Sequence, residues 1–83
     1  MSEAEVMRDE VLRVLRVAVE EARGEPGVYV SRARVMEQTN ITDLGRFSRI
    51  ARYLAGQELI AEGVNDYEFF ELTLKGIAAG ARY

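Results

Sequence analysis

Apolar residues in the first quarter of the chain recur every three or four positions. Placed at about 100° per residue, Ala4, Met7, Val11, Leu12, Val14, Leu15, Ala18, Val19 and Ala22 fill an arc of roughly 160°. That spacing predicts one long helix over about 2–23, stopped by the loop signal Gly24-Glu25-Pro26-Gly27. Ser2 is placed to cap it, and Glu3 and Glu5 suit the positive end of its dipole. Val6 and Val17 fall outside the arc, in line with each other, among Glu10, Arg13, Glu20 and Glu21.

The pattern then changes. Val28-Tyr29-Val30 is a short β-branched and aromatic run that predicts a brief strand. Ser31 is positioned to cap a second helix over Arg32–Gln38. Thr39-Asn40-Ile41-Thr42 reads as a polar turn anchored by Ile41. Thr42 is expected to cap a third helix, with Asp43 in its first turn. On that helix Leu44, Phe47, Ile50, Ala51 and Leu54 cluster within about 120° and form the expected core face. Leu59–Val64 and Tyr67–Leu72 then read as two strands, with Asn65-Asp66 as a two-residue hairpin turn. Alternation along the second strand sends Phe70 and Leu72 inward and leaves Tyr67 and Phe69 outside. Thr73 is expected to cap a last short helix over 74–80. The chain must turn sharply before Leu59, so Gln57 or Glu58 is expected in a left-handed conformation.

This order predicts an α+β, mainly helical fold in a single domain, 1–83. The stretch VMEQTNITDLGRFSRIARYLAGQELIAEG resembles the helix-turn-helix and following strand of a winged helix-turn-helix domain. LIAEGVNDYEFFELTLKGI resembles that family's wing, and Leu72-Thr73-Leu74-Lys75-Gly76 is similar to the L-T-x-K-G wing ending of MarR and PadR-type regulators. The resemblance implies a three-helix core, a helix-turn-helix over about 31–57 and a two-stranded wing hairpin over about 59–73. A short first strand and a C-terminal helix complete it. It also implies sequence-specific binding of double-stranded DNA, with the third helix in the major groove, and a role in transcription regulation.

Composition narrows the chemistry. Eighty-three residues bury only about 60–65% of the unfolded surface, so the core is small. The chain has no cysteine and no histidine. Thiolate metal sites, disulfides, a cysteine nucleophile and histidine acid–base work are thereby excluded. The acidic pairs Asp9-Glu10 and Glu20-Glu21 do not converge, because neighbours on a helix point about 100° apart. No catalytic residue, metal or cofactor is expected, and the protein is not expected to be an enzyme. No apolar run is long enough to span a membrane and no secretory signal pattern opens the chain, so a cytoplasmic location is expected.

Charge is uneven. Residues 1–25 carry seven acids against four arginines, and 61–83 carry four acids against two bases. Residues 26–60 reverse this, with five arginines against three acids. Arg46, Arg49 and Arg52 recur three apart on the polar side of the third helix. Arginine's planar fork suits phosphate and guanine edges. Gly45 permits close backbone approach, and Ser48 and Thr42 are expected in the same DNA-facing set. Arg32 and Arg34 open the second helix, which crosses the DNA backbone in this fold. Five arginines per protomer predict a salt slope near −4, at about −0.9 for each phosphate neutralised.

The wing is acidic, with Glu62, Asp66, Glu68 and Glu71 and no basic side chain over 61–74. A protein–protein interaction module using that acidic, aromatic wing is the alternative function. Val6 and Val17 on the first helix, with Tyr67 and Phe69 on the wing, are the expected interface of a symmetric homodimer.

Overall fold

The computed structural model describes residues 3–61 and 65–81, with side chains from Arg8 onward. Its elements are α1 (Glu3–Glu21), β1 (Tyr29–Ser31), α2 (Arg32–Thr39), α3 (Leu44–Gly56), β2 (Phe69–Glu71) and α4 (Leu74–Ala81). The α+β, mainly helical class agrees with the sequence pattern. Ser2 and Val6 lie outside the described side chains.

α1 is the central pillar and packs against α2, α3 and α4. Val11, Val14, Leu15, Ala18 and Ala22 are buried, as the helical arc predicts. The arc is wider than the pattern showed, because three helices surround this one. Val17 is half-buried and packs against the core, and Glu10 is buried. Both lie just beyond Val14 on the wheel, Glu10 by about 40°. α3 contributes Phe47, Ile50, Ala51 and Leu54. Leu44 does not join them and is 46% exposed, because it is the first residue of the helix. Phe47 meets Phe70 of β2 with ring centroids 6.2 Å apart, which ties α3 to the sheet.

Three helix ends share one construction. Arg23 N–H donates to the Glu20 carbonyl and Gly24 N–H to the Val19 carbonyl. Asn40 and Ile41 bond Glu37 and Met36 in the same way after α2, and Glu58 and Leu59 bond Ala55 and Leu54 after α3. The pivots are left-handed: Arg23 has φ 55°, Asn40 φ 59° and Glu58 φ 61°. Each pair is a Schellman motif. None of the pivots is glycine, and Glu58 is the left-handed residue expected before Leu59.

The N-termini differ from expectation in two respects. Ser31 stands at the start of α2 but its side chain makes no capping bond. α3 is capped by Asp43 and not by Thr42: the Asp43 carboxylate accepts from the N–H groups of Gly45 and Arg46. An ionised carboxylate at the positive helix end holds these donors more strongly than a hydroxyl. Thr73 does cap α4, accepting from Gly76 N–H at 3.0 Å.

β1 and β2 pair antiparallel, with Tyr29 opposite Glu71, Val30 opposite Phe70 and Ser31 opposite Phe69. On the other side of β2 the strand expected over 59–64 is a single bridge, Ile60 to Leu72, with Ala61 N–H on the Glu71 carbonyl. Residues 62–64 of that expected strand lie outside the described residues. The second expected strand begins at Phe69 and not at Tyr67, because Asn65, Asp66 and Tyr67 are all left-handed (φ 52°, 55° and 65°). Positive φ at Asn65 and Asp66 agrees with the expected turn. Its extension to Tyr67 breaks the alternation, so the Tyr67 side chain turns into the core at 9% exposure while Phe69 faces out at 42%.

The glycine of Leu72-Thr73-Leu74-Lys75-Gly76 has a steric reason. Thr73 N–H and its hydroxyl both bond the Leu59 carbonyl, at 3.2 Å each, docking the start of α4 there. A Cβ on Gly76 would fall 1.9 Å from that oxygen. Only glycine permits the approach.

Candidate nucleic-acid interface

The outward side of α3 carries Gly45, Arg46, Arg49, Arg52 and Tyr53, all exposed. The buried stripe of Phe47, Ile50, Ala51 and Leu54 fixes which side this is, and the Asp43 cap fixes where it begins. The eight residues expected to face DNA separate into two groups.

Arg49, Arg52, Gly45 and Thr42 lie exposed, as expected. Among the described residues, neither Arg49 nor Arg52 makes a side-chain hydrogen bond or ion pair. Their charge is uncompensated and solvated. The other four are engaged within the fold. Ser48 is buried, at 4% exposure, and its hydroxyl bonds the Asp66 carboxylate at 3.2 Å. It therefore faces the left-handed turn at 65–67 and not the outer surface. Arg32 donates to the Asp66 carbonyl at 3.0 Å. Arg32 and Ser48 together hold the left-handed turn from two sides. Arg34 pairs with Glu21 of α1 at 3.0 Å, and the same carboxylate takes the amide of Gln38.

Arg46 is the most consequential case. Its Nε donates to Glu10 Oε2 at 2.7 Å and its Nη2 to Glu10 Oε1. The Glu10 side chain is 8% exposed and that of Arg46 52%. The contact joins a buried acid on α1 to an arginine whose outer part reaches the surface. On the sequence alone Glu10 is only half of a non-converging acidic pair, beyond the core arc. Its place beside the core arc was the available signal, but its partner lies 36 residues away.

Beside this pair, α1 and the α2–α3 turn enclose an open cleft of about 330 Å³, lined by Arg13, Asn40, Thr42 and Asp43 as well as Glu10 and Arg46. Arg13 is exposed and was not singled out from the sequence.

The expected dimer residues fare differently. Tyr67 is buried and Val17 half-buried against its own core, so neither offers a free surface. Phe69 is exposed, and Tyr29 joins it on the outer face of the sheet at 63%. Tyr29 lies opposite Glu71, two residues along from Phe69, which makes the two aromatics diagonal neighbours.

Among the described residues no helix is long and apolar enough to cross a membrane, and no group of three acidic side chains is placed to hold a metal ion. Comparison with protein-family models, with curated proteins and with solved structures finds no match.

Proposed function

We propose that this protein is a small sequence-specific binder of double-stranded DNA built on a winged helix-turn-helix, with α3 as the major-groove helix and a role in transcription regulation. The observation that carries the reading is the pair Arg49 and Arg52. Both are exposed and unneutralised on the outer side of α3, in a chain whose net charge is −3. The order of elements supports it, as does the placement of β2 between β1 and the Ile60 bridge. Arginines paired with carboxylates contribute little to phosphate attraction. The expected salt slope is therefore about −2 per protomer from Arg49 and Arg52, or about −3 if Arg32 contributes.

A mobility-shift titration on random duplexes at two salt concentrations tests this. Arg49→Ala/Arg52→Ala should abolish most binding and flatten the salt dependence. Arg46 is unsuited to this test, because its removal strands a buried carboxylate. Duplex binding that is absent, or unchanged in the double variant, would sink the reading.

A second reading is favoured by the outer sheet face. Tyr29 and Phe69 are exposed aromatics flanked by the acidic residues Glu68 and Glu71. In that reading the face binds protein, and the partner it takes is a second copy of the chain. Two α3 helices about 34 Å apart in such a dimer would meet successive major grooves.

A further inference from the structure

We infer that Glu10 is a positioning residue for Arg46, one that fixes the direction of its guanidinium and cancels its charge, so that Arg46 reads base edges and not phosphates. The inference rests on the DNA-binding reading above.

Three observations converge. The first is geometry: Glu10 accepts from both Nε and Nη2 of Arg46. A two-point contact sets the plane of the guanidinium, where a single contact would leave it free to rotate. The second is burial. Glu10 sits on α1, held by α2, α3 and α4, and the residue is 6% exposed at the edge of the core stripe, one helical turn before buried Val14. The anchor is rigid while the anchored group reaches the surface. Rotamer freedom that an arginine ordinarily loses on binding is here lost on folding. The third is charge. Glu10 and Arg46 together carry none, whereas Arg49 and Arg52 keep theirs. Attraction to phosphate scales with charge. Discrimination among base edges depends on donor direction. One helix thus carries two kinds of arginine with separable tasks.

The test uses the full chain, random duplexes and the tightest-binding duplex recovered from them. Binding is measured from 50 to 200 mM salt. Glu10→Gln keeps the shape of the side chain and removes its charge. Its slope should steepen by about 0.9 per protomer, roughly a further 3.5-fold loss of affinity over that fourfold range. Its preference for the selected duplex should fall roughly tenfold. Glu10→Gln/Arg46→Gln should return the slope to the wild-type value without restoring the preference. Arg46→Lys keeps the charge but offers no planar fork, so its slope should stay at wild type while the preference is lost. This variant covers the case in which Glu10→Gln does not fold. A Glu10→Gln slope equal to wild type, with only the melting temperature altered, assigns Glu10 a structural role and overturns the inference. So does an Arg46→Lys protein that keeps its preference. Failure of the DNA reading shows itself separately, in duplex binding that Arg49→Ala/Arg52→Ala does not reduce.

Discussion

Replacing Glu58 by glycine should make this protein more stable. Glu58 carries a Cβ and is held at φ 61°. A left-handed conformation costs an ordinary residue about 1–2 kcal/mol, through the clash of Cβ with the following carbonyl. The Schellman bonds from Glu58 N–H and Leu59 N–H hold the residue there, and its carbonyl also accepts the Thr73 hydroxyl at 2.6 Å. All of these are backbone contacts and survive the substitution. The Glu58 side chain is exposed and makes no bond among the described residues. Against the relief stands the greater freedom of glycine in the unfolded chain, about 0.4–1 kcal/mol. The expected net gain is about 0.5–1 kcal/mol. For a domain of this size that raises Tm by about 2–8 °C.

Thermal melting followed by circular dichroism measures it, and urea titration separates it from changes in the unfolded state. A higher midpoint with an unchanged m-value is the expected result. The neighbouring position supplies the contrast. Gln57 has φ −88° and so carries no such strain. Gln57→Gly should lower stability by roughly 0.5–1 kcal/mol. If Glu58→Gly melts at or below the wild-type temperature, or both variants shift alike, the strain argument is wrong.

Two other substitutions test the packing and the assembly. Gly76→Ala should cost about 3 kcal/mol, because the new methyl meets the Leu59 backbone carbonyl, whereas Gly80→Ala should cost less because its nearest contact is the movable end of Val19; equal melting temperatures for the two would refute the distinction. Tyr29→Lys/Phe69→Lys should leave the fold intact and convert a dimer to a monomer in sedimentation at micromolar concentration; a wild-type protein that is already monomeric, or a variant that stays dimeric, removes the sheet face as the interface.

What the sequence made legible follows from the range of each force. The buried stripes of α1 and α3 were readable because a helix repeats every 3.6 residues, and the periodicity is local. The Thr73 cap and the turn before Leu59 were readable for the same reason, since their partners lie within a few residues or are forced by the chain's direction. The expected hairpin over 59–73 was readable only in part. Asn65 and Asp66 signalled positive φ, but nothing at Tyr67 announced that the turn would run one residue further. That single residue moved an expected surface aromatic into the core. The helix caps show a smaller miss of the same kind: Thr42 and Asp43 are both capping residues, and one position decides between them.

Charge pairs were the least legible feature, and they bear most on function. A helical wheel displays Arg46, Arg49 and Arg52 as equivalent. Glu10 makes the first of them unlike the other two, and Glu21 does the same to Arg34. Neither acid differs in composition from its solvated neighbours. What distinguishes them is that α1 is enclosed by three helices, so acids at the edge of its core stripe reach the first turns of α2 and α3. Counting basic residues along a helix therefore overstates its pull on phosphate. Among the described residues, five candidate arginines reduce to two exposed ones with no carboxylate partner, Arg49 and Arg52, together with Arg32, which bonds a neutral carbonyl. A fold this small places much of its charge within reach of an opposite charge. The arginines that remain uncompensated on the outer side of α3 are for that reason the more informative ones.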